Sequence, residues 1–362
     1  TCALPISSLK WETQISTDIA LEFGLFDRLT GTIEYFKKDS KDLLFDVSQP
    51  ASVGVTSIIQ NIGKVTNSGV EIELDYNAFK NKDWSVSVGA NATFVKNKIK
   101  NLPATMKENG YISGSKKWLE GKSIYEFWLR QWHGVDPQTG DGLYVADVSK
   151  YNQGNIGTGD GNITQSQFDE YKKTVVTIDG KELTNSYTYA KYDFSGSSIP
   201  DVYGGFNVRV SYKNFDLAAV FSYQLGGQIL DTNYATMMSM TEFGYAQSPD
   251  LLKAWKQAGD ITEVPRIDNS AAHTTNIGQS YSTRWLTSSD YLNLRSVTIG
   301  YQLPKTWLSK VMLKSARLNL TAENLFMLKA RQGLNPMANY SGVTYNEYMP
   351  SRNITLGLNV SF

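Results

Sequence analysis

The chain has 362 residues, and its 35 Lys and Arg balance 35 Asp and Glu, which argues against the net basic surface of a nucleic-acid binder. Charged residues make up only 19% and aromatics 12%, with 21 Tyr, 8 Trp and 29 Gly, a composition suited to a turn-rich β protein. No apolar run approaches the ~18 residues of a membrane-spanning helix, which excludes a helical membrane protein but leaves open a β-barrel, whose strands average to neutral hydropathy.

In chain order, Thr1–Ser7 (TCALPIS) matches the translation of a common sequencing adapter, so residues 1–7 are expected to be a scar and 8–362 the native stretch. Strands are predicted near 12–24, 27–38, 64–79 and 84–98, joined by short turns at Gly24–Arg28 and Lys80–Asp83. Successive strand side chains point to opposite faces. Val70, Ile72, Leu74 and Tyr76 therefore share one face, as do Trp84, Val86, Val88, Ala90, Ala92 and Phe94, opposite Ser85, Ser87, Gly89, Asn91 and Thr93.

The direction of the strands alternates properly only if 99–200 is a single outward excursion. Its β-like pieces, Ile124–Val135 and Leu143–Val148, are then expected to form a hairpin above the membrane. Strands resume near 201–213 and 214–228 around Lys213-Asn214. In the loop 229–287, Ser248-Pro249-Asp250 is followed by Leu251, Leu252, Ala254 and Trp255 and closed by Gly259, which predicts a helix over 249–258. Strands near 288–302 and 314–325 follow. The last, Asn353–Phe362, sets Ile354, Leu356, Leu358, Val360 and Phe362 against Asn353, Thr355, Gly357, Asn359 and Ser361.

A soluble sandwich alternates too, but these strands exceed the usual ~5–6 residues and approach the ~9–11 of outer-membrane strands. Short turns alternate with long polar loops at 39–63, 99–200, 229–287 and 326–350, and aromatics such as Tyr35, Tyr76, Phe79, Trp84, Phe94, Tyr212, Phe215, Tyr301 and Trp307 sit near strand ends. The fold class expected is all-β, an antiparallel transmembrane β-barrel segment of about nine or ten strands with one short loop helix. That is too few for the ~22 strands of a plugged transporter, and an open sheet in lipid is not viable, so the chain reads as a fragment.

Little chemistry is encoded. Cys2 is the one cysteine, and His133 and His273 lack spaced ligand partners. Gly121-Lys122-Ser123 is not a phosphate loop, because Lys116 stands where that loop needs Gly, and Gly157–Gly161 lacks the dinucleotide spacing. Asp160-Gly161-Asn162 resembles a calcium loop, but Ile156 and Gln167 would occupy ligand positions, leaving a structural calcium near Asp160 as a minor alternative to no cofactor. No nucleophile elbow is present. No catalytic, cofactor-binding or metal residue is assigned, and the chain is not expected to be an enzyme. The loop aromatics Trp118, Trp128, Trp132, Tyr144, Tyr234 and Tyr245 are candidate ligand contacts, against the simpler expectation that they pack the loops.

Leu9–Thr13 followed by LEFGLFDRLTGTIEYFKKDSKDLLF, Asn61–Leu74 (NIGKVTNSGVEIEL), Ile199–Leu217, Tyr291–Pro304 (YLNLRSVTIGYQLP), Ser315–Phe326 (SARLNLTAENLF) and the final strand resemble, in order, the C-terminal half of the SusC/RagA family of TonB-dependent outer-membrane transporters of Bacteroidota. The stretch 150–198 departs from the family through the insert TVVTIDGKELTNSYTYAKYDF. The resemblance implies a bacterial outer-membrane location and active import of an oligosaccharide or peptide nutrient. It implies a SusD-like surface lipoprotein as lid, and energy from TonB–ExbB–ExbD acting through an N-terminal part that this sequence does not contain. Asn91, Thr93, Asn319, Thr321 and Glu323 would then line the lumen or touch a plug, and Phe362 would be the aromatic end read by barrel-assembly machinery. The alternative from another class is a surface-binding or adhesion barrel that transports nothing. No loop motif names the cargo.

Overall fold

The computed structural model describes residues 9–48, 52, 54–61, 63–103, 106–159, 161–239, 244, 246–268, 270, 281–308 and 313–362. Nine long strands form the main sheet: β1 (Thr13–Leu25), β2 (Leu29–Lys41), β3 (Lys64–Lys80), β4 (Trp84–Asn101), β5 (Val202–Tyr212), β6 (Phe215–Leu225), β7 (Tyr291–Gln302), β8 (Ser315–Glu323) and β9 (Asn353–Ser361). Each pairs antiparallel with the next, and β1 and β9 are the two edges of a sheet that does not close among the described residues. A tenth short strand, Met327–Lys329, continues the pairing of β8 along β7.

The register turns one-dimensional alternation into a two-faced wall. A single row, Leu25–Leu29–Tyr76–Val88–Val208–Ala219–Val297–Ala322–Ile354, crosses all nine strands. One residue along, the row is Gly24–Thr30–Asp75–Gly89–Asn207–Val220–Ser296–Glu323–Asn353. The first face carries exposed Ile19, Leu21, Ile33, Leu74, Ile299, Leu320 and Leu356, so apolar side chains point away from the polar face without being covered by protein. At the short-turn end Trp84 lies against Tyr212, with ring centroids 4.3 Å apart, and Phe215 against Tyr301 at 4.3 Å. Phe206 stacks on Phe221 toward the other end. These pairs fit interfacial aromatic girdles.

Where the alternation slips, the backbone compensates. Leu292 and Leu294 are out of phase with Val297 and Ile299, and a bulge in β7 opposite Val220 and Phe221 absorbs the extra residue, keeping all four on the apolar face. A second bulge between Asn77 and Phe79 does the same for Phe79.

The short connections are turns, as expected. Phe26 and Asp27 both adopt positive φ (55° and 51°), Lys213 does so at 51°, and Asn81 Oδ1 accepts the amides of Asp83 and Trp84. The long connections are built more elaborately than the alternation predicted. The piece 124–135 divides at Gln131: Glu126–Arg130 joins a sheet with Tyr192–Ser197 and Lys116–Trp118, while Trp132–Val135 forms the hairpin with Gly142–Val145. Two sheets thus replace the single expected hairpin, and Gln131 is the joint between them, its backbone amide donating to Lys191 O and its carbonyl accepting from the Val145 amide.

The polar insert at 174–194 and the residues just before it have regular structure. Helix α1 (Gln165–Thr174), whose Thr164 and Gln167 exchange capping-box hydrogen bonds, leads into the insert, which opens as the hairpin Val175–Ile178/Lys181–Thr184. Its turn is Asp179-Gly180, both at positive φ, the combination a tight hairpin requires.

The predicted helix 249–258 is shorter. Ser248 caps a 3₁₀ turn, Pro249–Lys253, but Ala254 is extended, and the Asp260 carboxylate takes the amides of Lys256 and Gln257. Trp255 instead donates its amide to Val264 O.

Gly300 marks a close approach on the polar face. Arg317 on β8 reaches over β7 to Asp216 on β6, with Nη2 and Oδ2 2.6 Å apart, and a Cβ on Gly300 would meet both side chains, lying 2.7 Å from the Asp216 oxygens. Gly300→Val is expected to cost about 1–3 kcal/mol by overpacking, read as a lower temperature for loss of the folded, heat-shifted band on a gel. Adding Arg317→Ser should recover part of that loss.

Candidate functional site

Two regions combine to make a site: the polar face of the wall and the layer of loops at one end of it. On the polar face Glu34 and Glu71 are cross-strand partners, and the next row sets Thr32, Glu73 and Asn91 side by side. With Thr93 they line a recess of about 240 Å³. Like charges directly opposite one another weaken a sheet, so this recess is relieved by any cationic neighbour. The alternation that exposes Val70, Ile72 and Leu74 on the apolar face carries Glu71 and Glu73 on the other. Glu71 and Glu73 thus have a local signal in the sequence, whereas Glu34 joins them only through the strand register.

The other polar-face candidates hold local hydrogen bonds. Asn91 Oδ1 accepts the Gly205 amide (2.8 Å), Asn319 Oδ1 accepts from Arg317 Nε (2.8 Å), Thr321 and Thr298 share a hydroxyl contact (3.1 Å), and Glu323 accepts from Asn353 Nδ2 (3.3 Å). Phe362 follows β9 and is 81% exposed.

At the long-loop end three separate excursions share one buried core. Phe127 and Leu129 come from the first, Leu230, Ala235, Met238, Ala254, Val264 and Trp285 from the second, and Val343 from the third. Asp231 is the polar hub. Its carboxylate pairs with Arg331, accepts from Thr344 Oγ1 (3.2 Å) and caps the helical turn Thr232–Met237 through the Tyr234 amide (3.0 Å). Trp255 Nε1 donates to Pro137 O (2.9 Å) and Trp132 donates its amide to Thr283 (2.8 Å), locking the first excursion to the second.

The aromatic candidates fall within this layer. Tyr144 is fully buried between Trp132 and Tyr187, and burial pushes its phenol up, which removes it as a surface contact. Trp118 packs on Tyr111 and donates to Ile124 O. Trp128 stacks on Tyr192 with Lys117 Nζ 4.0 Å over its ring, Trp132 faces Arg284 at 4.8 Å, and Tyr234 lies under Arg331 at 3.5 Å while its hydroxyl donates to Asp250. Those three remain half-buried, each with a cation over its ring. Tyr245, Asp160, His273 and the stretch 1–7 lie outside the described residues. Gln167, a would-be calcium ligand, gives its side-chain oxygen to the Thr164 amide (2.8 Å).

Lys116 is the most perturbed cation of the layer. Desolvation brings its amine down to about 7 from 10.5, with Glu126 pulling the other way, while Nζ donates to Tyr125 O (2.8 Å) and sits 3.1 Å from the Phe127 ring centre. The folded loop favours the neutral amine, so between about 7 and 10.5 the unfolded segment binds the proton that the folded one lacks, and stability rises with pH. Hydrogen exchange over Tyr111–Arg130 is expected to slow as pH rises through that window, after correction for intrinsic rates. Lys116→Met should abolish the dependence.

The profile of the family described as TonB dependent receptor-like, beta-barrel matches residues 3–325, and the chain belongs to that family. It is a protein of the bacterial outer membrane. It is similar to TonB-dependent receptor P3 of Formosa agariphila (29% identity over 98% of this chain and 34% of that one) and to TonB-dependent receptor SusC of Bacteroides thetaiotaomicron (24% identity, 98% and 32%). Among solved structures, the RagAB peptide importer in its closed-closed state superposes with a TM-score of 0.77 at 26% identity, covering 98% of this chain and 36% of that one. The chain therefore spans about a third of the length of the relatives it matches.

Proposed function

We propose that this chain is a wall portion of a TonB-dependent importer that takes up an oligosaccharide or peptide nutrient across the outer membrane. The observation that carries it is the pairing of a two-faced wall with three loops fused into one core at a single end. In this reading the apolar face meets lipid and the polar face, with Glu34, Glu71, Glu73, Asn91, Thr93, Asn319, Thr321 and Glu323, lines the lumen. The fused loops face outward, where a rigid rim gives a SusD-like lipoprotein a surface to close against. Half-buried Trp128, Trp132 and Tyr234 are the aromatic surfaces left for cargo. TonB–ExbB–ExbD supplies energy through parts of the transporter beyond this sequence, barrel-assembly machinery reads Phe362, and a structural calcium near Asp160 stays a minor element of the proposal.

The test is uptake of labelled oligosaccharide and peptide pools by the parent strain and by a strain deleted for the gene, with and without a protonophore. Loss of one cargo class on deletion, matched by the protonophore, is the expected result. Uptake unchanged for every pool overturns the importer reading in favour of a surface-binding barrel. Co-purification of a lipoprotein with the tagged full-length protein tests the lid.

A further inference from the structure

One concavity of the wall does not open on the polar face. A cavity of about 610 Å³ lies at the long-loop end of β5, β6 and β7, lined by Phe206, Tyr223, Leu225, Leu292 and Leu328. Register places all five on the apolar face: Leu292 opposes both Tyr223 and Leu328, Val202 opposes Leu225, and Phe206 opposes Phe221 in the same alternation.

The hollow has a local cause. β8 ends at Glu323, Asn324 turns through a positive φ of 51°, and Met327–Lys329 resumes the pairing along β7, so the hollow lies past the end of β8, bordered by Leu328 and Ala330. Ser288 and Asp290 close the upper side.

We propose that this cavity is a specific binding site for an acyl chain of an outer-leaflet lipid. The hollow is continuous with the apolar band that meets the membrane, so its occupant is drawn from the membrane. The hollow is open and its lining is mostly apolar, so an apolar chain from the membrane gains contacts there that a flat wall would not give, and its volume is that of a small-molecule site. Its position at the long-loop end puts it at the depth of the outer leaflet. Of the charged lining residues, Asp290 accepts the Gly226 amide (2.7 Å) and Lys329 Nζ donates to Leu334 O (2.7 Å), so both are held by the chain's own loops. The site rests on the apolar face meeting lipid and not on import, so a failed uptake assay leaves it untouched.

The experiment uses the full-length protein in phosphatidylglycerol vesicles doped with a phospholipid bearing a diazirine at one chain terminus. After irradiation, adducts are mapped by mass spectrometry. Peptides carrying Tyr223–Leu225, Leu292 and Leu328 are expected to be labelled several-fold more than those carrying Leu74 or Leu320, which are exposed on the same face. Ala330→Trp, which fills the mouth, should bring them down to the level of the band while the protein keeps its heat-shifted mobility. Uniform labelling along the band, or labelling of the cavity unchanged by Ala330→Trp, overturns the site. Labelling of neither cavity nor band overturns the site together with the lipid-facing assignment.

Discussion

Replacing Ala92 with Arg is expected to stop the barrel from assembling, while Arg at the adjacent Thr93 leaves assembly intact. The two positions are one residue apart in the middle of β4, but Ala92 pairs with Ile72 and Gly204 on the apolar face, and Thr93 pairs with Glu71 on the polar one. A guanidinium on the lipid-facing side near the midplane costs about 2–4 kcal/mol. On the other side it gains Glu71 as a neighbour and Glu34 one strand beyond. The measurement is the yield of heat-modifiable protein in the outer-membrane fraction. Equal yields from the two variants would show that the faces have been assigned wrongly. A low yield from Thr93→Arg with a normal one from Ala92→Arg would invert them.

The second large effect belongs to the loops. Asp231→Ala removes the partner of Arg331 and the cap of Thr232–Met237 in one step. Breaking a fully buried pair costs about 3–5 kcal/mol. Arg331 keeps 26% exposure, so roughly 2–4 kcal/mol is expected here, with the lost cap included. The loss falls on the joint between the second and third excursions, so limited proteolysis should cut 226–290 and 324–352 much faster than in the parent while the wall stays folded. Asp231→Asn keeps an acceptor for the Tyr234 amide and should fall between the two. Unchanged cleavage in Asp231→Ala would show that the loops are held by their apolar core alone.

The strands were legible because a wall strand obeys a local rule. Alternation in Trp84–Phe94 or Ile354–Phe362 is a property of the strand itself, and the short turns between strands were marked by Asn81, Asp83 and Lys213-Asn214. The candidate site was only half legible. The polar faces of β4 and β8 could be read, but the convergence of Glu34 with Glu71 depends on the register of two strands some forty positions apart in sequence. The loop aromatics show the opposite limit. Composition says that Trp128, Trp132, Tyr144 and Tyr234 lie in loops, and it cannot say which of them is buried, since that depends on what the other excursions bring to them.

From its sequence alone this protein is a run of long amphipathic strands with polar excursions, and that pattern fixes a two-faced antiparallel wall, because alternation of side chains is set by the backbone of each strand. The tertiary structure decided what the excursions become. Pairing across as many as 216 positions, from Phe127 to Val343, gathers three loops around one core, and buried apolar contacts of that range leave no periodic trace in the chain. It also decided where the wall is hollow, since β8 stops at Glu323, the chain turns at the left-handed Asn324, and only the short Met327–Lys329 rejoins β7 beyond it.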